Sequence, residues 1–556
     1  MFSMAVVLTG PIGCDSFQVN GSLDPASSKS SYPEQFRKKG RQIVESQAKY
    51  DVVVIGAGNG GIAAACKMQK EGKKTLLIEK HNLPGGCATS FKRGRFEFDA
   101  SLHELCDFGT AEDPGDTRKL LVDQFGLDIE WCRVPDVFRV IGRGARCGEM
   151  IDVALPAGRQ EFFDAMVRYV PESREAMTRF YELMDEVIAA LAYINASNGK
   201  TDSGYMKEHF PNFLKTAANP VNKVLRALNF PDKTCDILET YWGYIGVDAD
   251  RLSFTHYMAM VQKYVTRYPY FPKLTSHGLS LALIKRFQEM GGEIWYNTTA
   301  TEILFDGDAA CGVRTTQGDL FAGYVLCNIN PNIVYANMIP ADRIPERELR
   351  LANARTLAMQ LFVVYLGLNR SAEELGIRDY TIFLPDTTDS AKLYQSLSTI
   401  EGNDYAIMLC PSVVNPDESP KGTCILTLSS AFIGDAWKDV TSADYQRVKQ
   451  AHAKRLIETV ERKTGLVFHD CIEEIEIATP CTFARYLGAP NGTPYGYETN
   501  EWDSMMARLM MLGSDYPIRH FRFVGASGPK GDGYSSAYGC GELIARLALK
   551  DMKEGK

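Results

Sequence analysis

The first sharp pattern in the chain is Tyr50-Asp51-Val52-Val53-Val54-Ile55, a short β-branched run without polar alternation. Such a run predicts a parallel strand buried on both faces. Six residues rich in glycine follow, Gly56-Ala57-Gly58-Asn59-Gly60-Gly61, and then Ile62-Ala63-Ala64-Ala65-Cys66-Lys67-Met68, which has helix-forming composition. A second apolar run, Thr75-Leu76-Leu77-Ile78, ends in Glu79. Much later, a helix over residues 279–290 leads into Gly291-Gly292-Glu293-Ile294 and Thr299-Ala300-Thr301-Glu302-Ile303, which read as strand, turn and strand. Gly312-Val313 and Gln317-Gly318-Asp319 read as short hairpins, and Tyr324-Val325-Leu326-Cys327-Asn328 as another buried strand. Between these segments, residues 156–206 are rich in Ala, Leu, Met, Glu and Arg and predict helices, whereas Leu361–Tyr365 and Cys424–Leu428 predict core strands. Near the end, Phe523-Val524 runs into a loop carrying Gly525, Gly528, Pro529, Gly531 and Gly533, and a helix follows through Gly541-Glu542-Leu543-Ile544-Ala545. No internal repeat or low-complexity tract interrupts the pattern.

Strand, glycine loop and helix in this order give the glycines work to do. Gly56 suits a tight turn, Gly58 a close approach of backbone to a pyrophosphate, and Gly61 close packing of helix on strand. The helix N-terminus then offers N–H groups and a positive dipole end to phosphates. Glu79 stands where an acid would hold a ribose hydroxyl and repel a 2′-phosphate, so the nucleotide is expected to be of the ADP-ribose type, as in FAD or NAD. Only one complete dinucleotide fingerprint is visible, and no separate NAD(P) domain is expected.

Composition narrows the class without choosing the chemistry. The chain has 556 residues, 45% hydrophobic and 23% charged, enough for a large core in two intertwined domains. A net charge of −8 gives no global attraction to nucleic acid. Fourteen cysteines are scattered without a C-x-x-C pair, which reads as reduced thiols in a cytosolic protein, and the eight histidines show no metal-ligand spacing. Residues 1–49 read as an extension, too weakly apolar for a secretory leader, with an organellar targeting role left open. Residues 207–228 combine Lys207, Lys215, Lys223 and Arg226 with Phe210, Phe213, Leu214, Val221, Val224 and Leu225, opposed by Glu208 alone. This stretch is expected either to rest on an anionic membrane surface or to cap a domain with a solvated face, and Pro211 and Pro220 prevent one continuous helix.

Past Glu79 come Gly85-Gly86-Cys87-Ala88-Thr89-Ser90-Phe91 and Phe96-Glu97-Phe98-Asp99. The run from Tyr50 to Asp99 resembles the N-terminal signature of phytoene desaturases, carotenoid isomerases and retinol saturases, which share an FAD fold with amine oxidases and Rab GDP-dissociation inhibitors. The resemblance continues through 291–328, at Thr479–Tyr486 and Gly492–Gly496, and in the C-terminal glycine loop. It implies an α/β fold: a discontinuous FAD-binding Rossmann-like three-layer domain with an inserted α+β substrate domain. The expected division is an extension (1–49), FAD-binding parts at 50–140, 275–335 and 475–556, and substrate parts at 141–274 and 336–474. Cys87 stands where the family usually has an arginine, leaving the diphosphate to the helix N-terminus and to Lys92 or Arg93.

The resemblance implies FAD as cofactor, bound through Gly56, Ala57, Gly58, Gly60, Gly61, Glu79, Lys80, Gly85, Gly86, Cys87, Ala88, Ala300, Gly525, Asp532, Gly533 and Tyr534. Ala526 stands where many flavoproteins carry an aspartate for the ribityl chain, so that contact is not expected. His103, four residues past Asp99, is the expected acid or base near the flavin ring, with Glu104 as a second choice; Cys540 is expected to pack a helix rather than bind flavin covalently. Tyr264, Tyr268, Tyr270 and Phe271 are expected to line an apolar tunnel or pack a core, and Met505, Met506, Met510 and Met511 to pack a core or wall a pocket. The implied activity is oxidoreduction or isomerisation at C=C or C–C bonds of a long apolar polyene or isoprenoid lipid. A flavin amine oxidase and a non-enzymatic prenyl-lipid-binding protein are the alternatives. Among partners, an apolar small molecule and a membrane surface are expected, and nucleic acid is not.

Overall fold

The computed structural model describes residues 49–555 except 102, 198, 404, 514–516 and 530–532. The N-terminal extension up to residue 48 and Asp532 therefore lie outside the described residues.

One sheet carries the glycine loop. Its strands are β1 (Tyr50–Ile55), β2 (Thr75–Ile78), β3 (Glu293–Trp295), β4 (Ala300–Asp306), β5 (Ala309–Thr315), β6 (Gly318–Cys327) and β7 (Phe521–Phe523). β3, β2, β1, β6 and β7 lie side by side and parallel, while β4, β5 and the start of β6 form an antiparallel meander. Burial of β1 on both faces explains its unbroken apolar run: Val52 and Val54 pack with helix α1 (Asn59–Lys70), and Val53 and Ile55 pack toward Ile303 and Val313 of the meander. Helices α2 (Ser276–Glu289) and α3 (Tyr534–Glu554) lie with α1 on the first face, so helices, parallel sheet and meander make three layers. At the turn, Gly56 has φ +91°, and a β-carbon on Gly61 would collide with the Gly56 carbonyl oxygen. Both glycine assignments made for turn and packing follow from this.

β6 corrects the sequence reading. Gly318-Asp319 and Tyr324–Cys327 were expected as separate elements, but they form one ten-residue strand. Its first residues pair with β5, and those from Ala322 onward pair with β1.

The second sheet runs Ile472–Ala478, Gln360–Leu368, Cys424–Phe432, Ala406–Leu409, Thr381–Leu384, Asp136–Arg143 and Met150–Pro156. Its pairings are antiparallel except where Thr381–Leu384 meets Asp136–Arg143, the seam between its early and late segments. The boundaries expected at 140/141 and 474/475 thus cut two strands that belong whole to this sheet. Helices between Arg159 and Val265 cover one face through Phe180, Met184, Tyr257 and Val261, and the helix Tyr445–Thr464 covers the other through Leu456 and Val460.

Residues 207–228 fall into three short helices ending at His209, Thr216 and Ala227. Phe210, Phe213, Val221, Val224 and Leu225 are buried in the helical lobe, which withdraws them from any bilayer; Leu214 stays exposed, as do Lys207, Lys215, Lys223 and Arg226. No helix among the described residues is long and apolar enough to cross a membrane.

Candidate active site

A single cavity of about 890 Å³ joins the glycine loop to the second sheet and its helical cover. At the nucleotide end it is lined by Gly56, Gly58, Asn59, Gly60, Glu79, Lys80, Thr298–Thr301 with Ala300, and Asn328. The α1 N-terminus has no side-chain cap, so its first turn turns bare backbone toward this space. Glu79 is held in place on both oxygens: Oε2 accepts the Ala57 N–H at 2.7 Å and Oε1 the His81 N–H at 2.9 Å. Each oxygen keeps a second lone pair for a sugar hydroxyl. The second glycine pair is tied to the first, because the Gly85 N–H donates to the Ala57 carbonyl at 2.7 Å.

Three expected contacts sit one layer behind the wall. Ala57 acts through its hydrogen bonds to Glu79 and Gly85, Gly61 packs helix on strand, and the Ala88 carbonyl accepts the Ser280 hydroxyl at 2.8 Å. Lys92 and Arg93 do not reach the cavity either. They lie on the hairpin Ser90–Arg93/Phe96–Asp99, where Lys92 pairs with Glu97 and Arg93 with Glu476. The cationic side chains along the described wall are those of Lys80 and Lys263. Burial holds Lys80 below the usual ammonium range.

At the other end, Gly525–Ser527 and Gly533–Ala537 bring in the C-terminal loop and the first turn of α3, which also lacks a side-chain cap. The Tyr534 hydroxyl donates to the Cys87 carbonyl at 2.7 Å, joining this turn to the second glycine pair. Burial pushes the Cys87 thiol up to about 12, so it stays protonated. Cys540 is buried behind the loop, where a β-carbon on Gly528 would collide with its sulfur. Among the described residues twelve cysteines are free thiols, whereas Cys481 is disulfide-bonded, a departure from the expectation of reduced thiols throughout.

The helix Phe254–Val265 sends His256, Ala259, Met260, Lys263 and Tyr264 to the cavity, a one-face spacing of three and four residues. Tyr264 lines the chamber as expected, whereas Tyr268, Tyr270 and Phe271 do not; Tyr270 packs on Phe108, and Phe271 on Tyr380. Met505 lines the main cavity, while Met506 and Met510 line a second one of about 420 Å³. Sequence reasoning missed Tyr244, His256, Lys263 and Asn328; for the helix residues, polar positions at 256 and 263 on an apolar helix were the available signal.

His103 and Glu104 both line the chamber and differ in charge state. Burial alone lowers His103 to about 4, leaving a neutral ring at pH 7. It meets the Tyr244 ring edge-on, with centroids 5.9 Å apart. Glu104 is 6% exposed, accepts the Tyr244 hydroxyl at 2.9 Å on Oε1, and burial raises it to about 8. Three buried lining atoms have no protein partner: Asn59 Oδ1, Glu104 Oε2 and His256 Nδ1. With two uncapped helix ends and the Glu79 carboxylate fixed by two backbone N–H groups, these unpaired atoms fit a flavin or nucleotide cofactor together with a substrate.

Comparison with known proteins agrees with this geometry. Residues 54–115 match a family model described as an NAD(P)-binding Rossmann-like domain. The all-trans-retinol 13,14-reductase of Danio rerio is 24% identical over 80% of this chain and 77% of its own length. The chloroplastic prolycopene isomerase of Daucus carota is 23% identical over 81% of this chain and 72% of its own. The resemblance read from the motifs holds. The fold is likewise that of solved oxidoreductases. An oxidoreductase from Methanosarcina mazei superposes with a TM-score of 0.58 at 12% identity, covering 89% of this chain and 99% of the other. Cyclohexylamine oxidase from Brevibacterium oxydans gives 0.57 at 14% identity, covering 91% and 99%.

Proposed function

We propose that this chain is an FAD-dependent oxidoreductase acting on C=C or C–C bonds of a long apolar polyene or isoprenoid lipid. The carrying observation is one continuous cavity, with a dinucleotide cradle at one end and an apolar, tyrosine-walled chamber at the other. Gly56, Gly58 and Gly60 with the α1 N-terminus would hold the pyrophosphate, Glu79 the ribose, and Gly85, Gly86, Gly525 and the start of α3 the region toward the ring. A flavin held there supplies two-electron exchange with a substrate carbon. Ile245, Ala259, Met260, Tyr264, Leu361 and Met505 give the chamber an apolar surface that favours a hydrocarbon and excludes water.

A membrane approach is part of this reading. The second cavity is lined by Met206, Phe213, Leu214, Met506 and Met510, and exposed Tyr205, Leu214, Trp502 and Met510 lie on or beside it. Lys207 is on its wall and Lys215 is exposed nearby, with Glu208, exposed beside Lys207, and Glu501 as opposing acids. Exposed apolar side chains beside two lysines suit the surface of an anionic bilayer. Met505 and Met506 are neighbours on one helix, so the two cavities share a wall.

The test is to purify the protein, record its flavin absorbance, and follow anaerobic flavin reduction or reoxidation with a panel of polyenes and a panel of amines. Reaction with polyenes alone is the expected result. Colourless protein would overturn the cofactor, and reaction with amines alone would move the assignment to amine oxidation.

A further inference from the structure

The geometry points to Glu104 as the group that exchanges a proton with substrate carbon, with Tyr244 as its positioning residue and His103 outside that step. This rests on the polyene reading and assigns its proton chemistry. Glu104 lines the chamber, yet the Tyr244 hydroxyl satisfies only Oε1. Oε2 is buried and lacks any partner, although a carboxyl group in such a place ordinarily has both oxygens engaged. Because Tyr244 donates to Oε1, the acid proton belongs on Oε2, where it has no protein acceptor.

The surroundings hold the group in that form. Tyr241, Tyr244, Tyr264, Tyr380 and Cys106 face Glu104, all uncharged at neutral pH, and each is pushed further from ionisation by burial. Lys263 lies on the same cavity wall, yet burial dominates and Glu104 is raised to about 8. His103 is adjacent in sequence, but its neutral ring has no imidazolium proton to give near pH 7.

In saturation, a reduced dihydroflavin, when bound, would supply a hydride, two electrons with one proton, to one carbon of the C=C. The neighbouring carbon uses the π pair to take the proton from Oε2. Glu104 is left as a carboxylate accepting from Tyr244 and regains its proton from water. In desaturation the same carboxylate takes the proton from carbon, and oxidised flavin, when bound, would supply the hydride acceptor.

The experiment uses flavin-loaded protein carrying Glu104→Gln, Tyr244→Phe or His103→Ala. Expected is full flavin binding in Glu104→Gln, with polyene turnover lowered about a hundredfold or more. The parent's saturation rate should fall above about pH 8, and this limb should vanish in Glu104→Gln and move to higher pH in Tyr244→Phe, which loses a bond favouring the carboxylate. His103→Ala should keep the limb in place. An independent readout is infrared difference spectroscopy between about pH 6 and about pH 10. A carboxylic-acid C=O band lost across that interval in the parent and missing in Glu104→Gln is expected. Parent-like turnover in Glu104→Gln, or a Glu104 band already lost below about pH 6, overturns the assignment. A parent silent on every polyene overturns the substrate reading instead, and the infrared band then decides alone whether Glu104 holds a proton to give.

Discussion

Gly60 and Gly525 touch: a β-carbon on Gly60 would lie 2.5 Å from the Gly525 α-carbon. The contact presses the start of α1 against the loop before α3, so the first and last segments of the proposed cofactor cradle close on each other where no side chain fits. Gly60→Ala forces backbone against backbone, which neither partner relieves by a rotamer change. We expect a loss of about 1–3 kcal/mol in unfolding free energy, together with substoichiometric flavin. Denaturant unfolding and the ratio of flavin to protein absorbance check this, and full flavin occupancy would contradict it.

Gly58→Val should behave differently. A β-carbon there meets Asn328 Nδ2 at 2.9 Å, the end of a side chain that can turn away, and otherwise stays 3.9 Å from the Gly85 carbonyl oxygen. The protein tolerates the added carbon, but the side chain enters the space left for a pyrophosphate. A folded, colourless protein by circular dichroism and absorbance is expected. Retained yellow colour would remove Gly58 from the cofactor site.

How much of this was legible beforehand follows from where each signal is stored. β1, the Gly56 turn, Glu79 and the packing of α1 are written within thirty residues of sequence, so periodicity and spacing find them. β6 was split because its two halves pair with different strands, one in the meander and one in the parallel layer. Glu104 looked secondary to His103, since a histidine has the more suitable unperturbed acid constant. What reverses the order is burial among tyrosines from distant segments; its hydrogen-bond partner is 140 residues away. The Lys92 and Arg93 expectation failed for a related reason. Their charge was visible, but not the Glu97 and Glu476 carboxylates that hold them elsewhere.

Cys87 should leave the cofactor non-covalently bound. Its thiol is pushed up to about 12, so almost no thiolate is present at neutral pH to attack a flavin carbon. Acid precipitation should release all flavin into the supernatant, and Cys87→Ala should bind flavin with parent stoichiometry. Colour remaining with the pellet would be incompatible with this.

Glu104 should also leave a mark on stability. Its acid constant is about 8 in the folded chain against 4.5 for the ordinary group, so between these values the folded state binds more protons than the unfolded one. Stability from this group is therefore intact at low pH and falls as pH rises through the window, by about 1.4 kcal/mol per unit at most. Burial raises Asp99 as well, with the same sign. The informative quantity is thus the difference between parent and Glu104→Gln. Urea unfolding at about pH 5, 7 and 9 should show the variant gaining on the parent as pH rises. A difference independent of pH would mean that Glu104 is ionised in the folded protein.

The membrane approach makes its own demand on the second cavity. Leu214 is 44% exposed, Met510 48% and Trp502 50%, apolar side chains that packing covers only about halfway and water does not favour. Each gains on entering the acyl boundary of a bilayer, and full burial of such a side chain is worth about 1.5–3 kcal/mol. The lysines at 207 and 215 add attraction to anionic headgroups, an effect that salt screens. Flotation with vesicles of phosphatidylcholine alone and with phosphatidylserine should show binding to the anionic vesicles that weakens as salt is raised. Leu214→Glu and Met510→Glu, both at exposed positions, should each weaken it about tenfold or more without disturbing bound flavin. If the parent floats with neither vesicle, the patch does not meet a membrane. If it floats equally with both and is indifferent to salt, the lysines play no part and the apolar side chains act alone.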